Sequence, residues 1–513
     1  MSDISQKADA TSAPPEQTAS PTSRTLSQKW RLILPALFVV YPVGLYLLIR
    51  RPGDSRYRKT VVALLSAPVF ALVVLVALRP YWAFDGGMSF SLDFGEGGAQ
   101  SYVVARHREQ DRGRTRAAHN PEFDGLWYPA YRGPDRDGVI PGNFIALDWD
   151  KDPPRERWRQ PVGEGWSAFA IGYGAAYTLE QYFDNEVITC YDIATGDILW
   201  GLEYPAHFTE DLGGDGPRST PTLHNGRVYA LGAEGHLTCA DAKTGEQKWR
   251  HQINRDFGAD NLMWAMSASP YIFGETVIVT NSGVGGGSVV AYRLDDGRLA
   301  WSSDVGQQSY SSPVVASVAG RELLLNLAAF NLNALNPRDG KLLWSFPFGT
   351  DIGITGSQPV VIGDDQIFIS AGYGLGSKLL EVERDAEGQQ TPRERWSSVR
   401  MKNKFTCSVY QDGYLYGLDE RVLACLDAKT GERKWKGGRY NYGSLLLVQG
   451  HLLVMGEEGE LALVEATPEA FREVGRIQIL HDKTWNNPAL VDGLLFARNH
   501  REMVCYDLRP TPR

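Results

Sequence analysis

The sequence lacks the residue patterns that mark the common metal, nucleotide and hydrolase sites. Its nine His show no zinc-like spacing, and neither a Gly-x-Ser-x-Gly motif nor a phosphate loop occurs in a usable context. The stretch 148–152 begins like a calcium loop, but Pro153 stands where that loop needs Gly and Arg159 where it needs Glu. We therefore predict no metal site and no catalytic residues.

An excess of positive charge is also missing. The 513 residues include 52 Lys and Arg against 61 Asp and Glu, which gives a net charge of −9. Binding of nucleic acid requires a basic face that displaces counterions from the phosphates. We therefore expect no nucleic-acid partner.

What the sequence does contain is a repeated unit in which a Gly precedes a Trp by four residues. Each Gly lies in a short polar turn, where a positive φ closes a hairpin, and each Trp is expected to pack between neighbouring units. The units recur at intervals of about 40–50 residues, the spacing of propeller blades. The pairs are Gly196 and Trp200, Gly245 and Trp249, Gly297 and Trp301, Gly340 and Trp344, and Gly431 and Trp435.

Earlier strands complete each unit. A signal such as Ser219-Thr-Pro221 introduces a further strand and a hydrophobic run, so that four antiparallel strands form one blade. Trp158 lies on an outer strand without inner strands before it, whereas 494–507 supplies inner strands without a Trp strand after them. Joining these two ends closes the ring and removes its exposed edges. We predict an all-β, eight-bladed propeller over 126–513; if the unit of Trp396 or the degenerate unit near Arg476 is misread, the number is seven.

The cysteines follow the same repeat. Four of the five occupy one position of the unit: Cys190, Cys239, Cys425 and Cys505. Ala291 and Ala334 fill that position elsewhere, so it requires a small buried side chain, and thiols in different blades are poorly placed to form disulfides. Cys407 differs because it lies at the start of an inner strand.

The first quarter of the chain has a different composition. Residues 1–28 are rich in Ser, Thr, Pro, Ala and Gln and are predicted to be a disordered tail. Two uncharged apolar runs, 32–49 and 60–78, are long enough to cross a bilayer as helices, and the basic loop 50–59 between them is expected in the cytoplasm. We predict a transmembrane hairpin at 29–82, a linker at 83–125, and a multi-pass inner-membrane protein with its propeller on the periplasmic side.

The repeats resemble those of pyrroloquinoline-quinone (PQQ)-type eight-bladed propellers. The resemblance rests on stretches such as Leu237-Thr-Cys-Ala-Asp-Ala-Lys-Thr-Gly-Glu-Gln-Lys-Trp249 and covers about 127–508, and the segment 131–138 resembles the lead-in of exported or membrane-tethered members. This fold serves quinoprotein alcohol dehydrogenases and the lipoprotein subunit of the outer-membrane β-barrel assembly machinery, so it does not decide the function. Quinoprotein dehydrogenases typically carry an adjacent Cys pair, which this chain lacks. No cofactor is expected, and PQQ with calcium belongs only to the alternative of a dehydrogenase.

The candidate site lies in the segments before the inner strands, which the fold is expected to gather around one mouth of the central channel. Cationic and aromatic residues in them predict a pocket or peptide-binding surface for an anionic or carbonyl-rich ligand. The alternative is that these side chains fill the channel and satisfy one another. The residues are Arg218, Trp264, Tyr310, Lys402, Lys404, Tyr442 and Trp485.

Three functions remain open on the sequence. The favoured one is a membrane-tethered binding or scaffold module of the bacterial envelope, with another envelope protein or a small anionic ligand as its partner. The second is a PQQ-dependent alcohol dehydrogenase without the adjacent disulfide. The third is an envelope sensor that acts through its two helices.

Overall fold

The repeated units fold as four-stranded antiparallel sheets that form the blades of a propeller. The computed structural model describes residues 123–142, 144–282 and 287–511, together with Ala105, Arg108 and two short strands, Pro80–Trp82 and Met88–Phe90. These two strands pair with each other and belong to a first compact unit, 1–94, whereas the propeller belongs to a second unit, 95–513.

Eight such sheets make up the propeller in the described ranges. From the inner to the outer strand, blades 1 to 4 are Ala170–Gly172, Ala175–Tyr182, Asn185–Asp192 and Ile198–Pro205; Thr222–His224, Arg227–Leu231, His236–Asp241 and Gln247–Gln252; Tyr271–Phe273, Thr276–Thr280, Val289–Arg293 and Leu299–Ser303; and Val314–Val318, Arg321–Leu327, Asn331–Leu335 and Leu342–Pro347. Blades 5 to 8 are Val360–Ile362, Gln366–Ala371, Gly376–Arg384 and Gln390–Ser398; Val409–Gln411, Tyr414–Asp419, Val422–Asp427 and Arg433–Arg439; Ser444–Val448, His451–Met455, Glu460–Glu465 and Glu473–Gln478; and Ala489–Val491, Leu494–Arg498, Glu502–Asp507 and Arg155–Pro161. A single-turn helix, Ile253–Asp256, follows blade 2.

Blade 8 closes the ring with strands from both ends of the propeller. Its outer strand, Arg155–Pro161, pairs with Glu502–Asp507, and Trp158 lies opposite Cys505. The predicted eight-bladed fold and its closure are both confirmed. The hydrophobic core lies between neighbouring blades; Leu323 and Leu325 of blade 4, for example, pack in one cluster with Ile367 and Ile369 of blade 5.

The repeated Trp residues pack in the seams between blades. In five seams the indole lies over the turn Gly of the next blade: Trp158 on Gly196, Trp200 on Gly245, Trp249 on Gly297, Trp301 on Gly340, and Trp396 on Gly431. All five Gly have φ between +71° and +74°. A Cβ added to Gly245 would lie 2.6 Å from the Trp200 ring, whose Nε1 donates to the Ala242 carbonyl at 3.1 Å. The Gly thus provides both a left-handed turn and room for the indole. Trp344 and Trp435 are buried as well.

The degenerate blade 7 is completed from outside the repeat. Gly475 lies opposite Leu463, at the strand position that Trp occupies in the other blades. A Cβ on Gly475 would lie 2.6 Å from the ring of Trp149, which belongs to the segment before blade 8. Trp149 is buried and donates its Nε1 proton to Ala146 at 2.9 Å. An indole therefore fills this seam although the repeat does not encode it there.

Residues 128–140 cross the central channel and contact inner strands or their lead-ins in several blades. We call this segment the plug. Tyr128 pairs with Ile171 of blade 1, and the carbonyl of Pro129 accepts from the N–H of Leu223 in blade 2 at 2.8 Å. At the other end, Ile140 donates to Leu447 of blade 7 at 2.8 Å. The plug thereby closes the channel from one side.

A side chain from 83–125, the range predicted as a linker, also contacts the propeller. Arg108 donates to Glu180 of blade 1 at 2.5 Å and to Thr189 at 2.7 Å. Glu180 is completely buried, and Arg108 is 9% exposed. Burial alone would raise the pKa of Glu180, but Arg108 and Arg498 lower it below its usual value. The two form a buried ion pair.

The predicted tail, 1–28, and the predicted membrane helices, 32–49 and 60–78, lie outside the described residues. Within the part of the chain that the structure describes, no helix has both the length and the apolar character needed to span a bilayer.

Candidate functional site

The seven candidate residues lie on one face of the propeller. In an antiparallel blade, the connector into the inner strand and the turn between the second and third strands lie on the same side of the ring. We call this side the connector face. Its connectors are 162–169, 206–221, 253–270, 304–313, 348–359, 399–408, 440–443 and 479–488. Arg218, Trp264, Tyr310, Lys402, Lys404, Tyr442 and Trp485 all belong to these connectors.

Lys404 lies inside an aromatic cage at the centre of this face. Its Nζ is 4.2 Å from the ring centroid of Tyr442, 5.0 Å from that of Tyr373 and 5.2 Å from that of Phe405. The side chain is buried. Attraction between the ammonium and the ring faces holds together two connectors and the turn that carries Tyr373.

Aromatic contacts continue from this cage into blades 8 and 1. The ring of Phe405 is 5.1 Å from Trp485, which is 5.0 Å from Trp166. Trp485 donates its Nε1 proton to Glu457 at 2.7 Å, and Trp166 donates to the carbonyl of Gly213 at 2.7 Å. Each indole thus has a polar partner that fixes its orientation.

Arg218 organises the adjoining connectors of blades 2 and 3. Its guanidinium donates to the carbonyls of Trp264 at 2.7 Å, Gly214 at 2.7 Å and Gly216 at 3.0 Å. Burial lowers the pKa of Arg218 to about 10. The ring of Trp264 lies 5.6 Å from that of Tyr310. Arg218 thus uses its donors within the protein.

The phenol of Tyr373 interacts electrostatically with that of Tyr310, beside Trp264, and with that of Tyr442, in the cage around Lys404. Burial, and then the neighbouring phenols of Tyr310 and Tyr442, raise the pKa of Tyr373 above its ordinary value. We call the residues along this part of the channel mouth the girdle and define it as Trp166, Arg218, Trp264, Tyr310, Tyr373, Lys404, Phe405, Tyr442 and Trp485.

Lys402 lies beside the girdle in an ion-pair cluster. Its Nζ is 3.1 Å from Asp419, which also accepts from Lys436 at 2.6 Å. Burial would raise the pKa of Asp419, but the hydrogen bonds from Lys436 and Lys402 lower it. The three predicted cations of the site thus all contact protein groups.

Large apolar side chains are exposed on the same face. Among the described residues these are Phe183, Met263, Phe330, Ile352, Val399 and Phe405, with exposures from 36% for Phe405 to 73% for Val399. Met263 adjoins Trp264 of the girdle, and Phe405 belongs to it. Nothing in the sequence singles out these residues, nor Trp166 and Tyr373, because connectors and turns have no periodicity that shows which side chains reach the surface.

Across the described ranges, no three or more His, Cys, Asp or Glu residues lie close enough together to hold a metal ion. The five cysteines are all buried and unpaired. The absence of a cofactor stays a prediction.

Known proteins resemble this chain in sequence and in fold. A family model described as outer membrane protein assembly factor BamB matches residues 184–437. Proteins of that name from Yersinia pestis and Shewanella oneidensis are 22% and 25% identical, over 48% and 58% of this chain and 63% and 86% of their own lengths. The first of these matches thus spans less than two thirds of its relative. The structure of quinohemoprotein alcohol dehydrogenase from Comamonas testosteroni superposes with a TM-score of 0.52 at 11% identity, covering 82% of this chain and 85% of that one.

The relatives' names refer to the outer membrane, which contradicts the predicted localisation as a multi-pass inner-membrane protein, and that prediction is withdrawn. The likeness to the dehydrogenase concerns the fold alone. The repeat sequences, the family match and the eight closed blades agree with one another. The chain belongs to the PQQ-like family of eight-bladed β-propellers.

Proposed function

We propose that the chain is a binding or scaffold module that holds a protein taking part in outer membrane protein assembly on its connector face. One observation carries the proposal: six large apolar side chains are exposed on this face, around a girdle of fixed aromatic rings. Exposed apolar side chains that cluster on one side of a soluble domain mark interaction surfaces.

The girdle gives this surface its shape. Trp166 and Trp485 are each oriented by a hydrogen bond, and Lys404 holds three rings in place. Rigid aromatic residues lose little entropy when they bind, and they are enriched among the residues that dominate binding energy. Because the predicted cations contact protein groups, the partner is expected to bind mainly through apolar contacts and through its backbone carbonyls.

The class of partner comes from the relatives, which are named as outer membrane protein assembly factors. An extended segment of an envelope protein suits a mouth built from many connectors. The dehydrogenase alternative rests on the shared repeat sequences and the shared fold.

Paired surface substitutions test the proposal. Candidate partners are the outer membrane assembly proteins of the same bacterium, and affinity is measured with purified components. Met263→Asp with Val399→Asp places charges on the connector face at positions 71% and 73% exposed. The matched control is Leu299→Asp with Leu342→Asp, on outer strands at 49% and 43% exposure.

We expect the connector-face pair to weaken binding at least about tenfold and the control pair to leave it unchanged. Equal affinities for the wild type and both variants would contradict the proposal. Loss of binding in the control pair alone would move the interface to the outer strands.

A further inference from the structure

An ionised carboxylate is buried in the seam between blades 8 and 1. Glu180 of blade 1 accepts from the N–H of Gly163 at 2.5 Å and from the phenol of Tyr191 at 2.7 Å. Burial would raise its pKa, but the positive charges of Arg108 and Arg498 lower it. Because a carboxylate is costly to bury without a cation, these two guanidinium groups stabilise the seam.

The ring closes at this carboxylate. Arg498, on the second strand of blade 8, donates to Thr178 Oγ1 and to the carbonyl of Leu179, both in blade 1 and both at 2.9 Å. It also donates to the carbonyl of Gly163 at 2.7 Å. Gly163 follows the outer strand of blade 8, which comes from the other end of the propeller. Blade 1 and both halves of blade 8 therefore meet around Glu180.

The strand register shows which residue takes the place of Glu180 in the other blades. Glu180 lies three residues after Tyr177, which pairs with the small buried position of the repeat, Cys190. The same count in blades 2 to 8 gives Gly232, Asn281, Ala328, Ala371, Asp419, Gly456 and Asn499. Blade 6 is thus the one other blade with an acid at this position.

Blade 6 takes the cation for its acid from its own outer strand. Asp419 accepts from Lys436 at 2.6 Å, and Lys436 is the residue after the seam Trp. In blade 1 the residue after the seam Trp is Gly201, which has no side chain to offer. A Cβ added to Gly201 would lie 2.7 Å from Nη1 of Arg108. The guanidinium of Arg108 therefore occupies the place of the missing cation.

We propose that Arg108 is a lock on the ring closure, in which a residue from before the propeller supplies the cation that blade 1 lacks. The lock joins that part of the chain to the seam where the two ends of the propeller meet. Without Arg108, Glu180 would stay buried beside Arg498 alone, whose guanidinium already donates to Thr178, Leu179 and Gly163. The closure would then open more readily than the other seams.

Amide hydrogen exchange of the full-length protein, followed by mass spectrometry, tests the lock. We expect Arg108→Ala to raise the exchange rates of Arg155–Pro161 and Glu502–Asp507 in blade 8 at least about tenfold, because a buried carboxylate loses the cation that contacts it. Blade 4, on the far side of the ring, should exchange as in the wild type. The matched control is Arg384→Ala, whose guanidinium lies against backbone carbonyls of blade 4 on the exposed surface. It should leave exchange in blade 8 unchanged.

A second substitution, Gly201→Lys, gives blade 1 the arrangement of blade 6. In the Arg108→Ala background the new lysine should pair with Glu180 and return exchange in blade 8 towards the wild-type rates. In the wild type the same substitution should raise those rates, because its Cβ meets Arg108. If Arg108→Ala alone does not fold, the double variant should. Unchanged exchange in Arg108→Ala, faster exchange in every blade alike, a double variant that stays unfolded, or equal harm from Gly201→Lys in both backgrounds would overturn the proposal.

Discussion

Alanine at Gly245 should destabilise the propeller much more than alanine at Gly226 of the same blade. Both Gly have φ of +72°, so the backbone strain of a Cβ is the same, about 1–2 kcal/mol. They differ in what the Cβ would meet. At Gly226 nothing lies within 4 Å, whereas at Gly245 the Trp200 ring is 2.6 Å away. Overpacking of this kind costs about 1–3 kcal/mol in addition.

The measurement is the free energy of unfolding in urea, followed by far-ultraviolet circular dichroism. We expect Gly245→Ala to lose about 1–3 kcal/mol more than Gly226→Ala. In a Trp200→Ala background the difference between the two positions should vanish, because the obstructing ring is gone. If Gly245→Ala were no more destabilising than Gly226→Ala, the seam would not be packed as described.

Two further predictions concern blade 7, whose seam is filled by Trp149, and the buried side chain of Glu186. Trp149→Ala should lower the free energy of unfolding by about 3–5 kcal/mol, since it empties the seam over Gly475, and an unchanged urea midpoint would contradict this role. Burial raises the pKa of Glu186 from 4.5 to about 7, so the folded state binds this proton more tightly than the unfolded state does. The free energy of unfolding should therefore fall by up to about 3 kcal/mol as the pH rises from about 4.5 to 7. Glu186→Gln should reduce that slope, measured as the urea midpoint against pH; the remainder is expected from Glu164, whose pKa burial also raises to about 7.

The repeat made the propeller predictable from the sequence. A fixed Gly-to-Trp offset specifies a hairpin and a seam residue in each copy, and the incomplete units at Trp158 and 494–507 reveal how the ring closes. The seam of blade 7 could not be predicted this way. In blade 7 the position that Trp occupies in other blades is Gly475. The indole that fills the seam is that of Trp149, which comes from a stretch without the repeat.

The candidate site was predictable in its place but not in its contacts. Strand order alone assigns the connectors to one face, which is why Lys404 and Trp485 could be selected together. The cage around Lys404 depends on Tyr373, which belongs to a turn between strands rather than to a connector. Likewise, nothing in the sequence of the plug shows that Arg136 reaches the Ser269 carbonyl before blade 3, because that contact spans 133 residues of chain.

Site-specific crosslinking in cells tests whether the connector face holds a protein that takes part in outer membrane assembly. A photoreactive amino acid at Met263, which is 71% exposed on that face, is compared with one at Leu299, which is 49% exposed on an outer strand. We predict that an outer membrane assembly protein crosslinks at Met263 and not at Leu299. Crosslinks to that protein at Leu299 alone, or at neither position, would show that the connector face is not its binding surface.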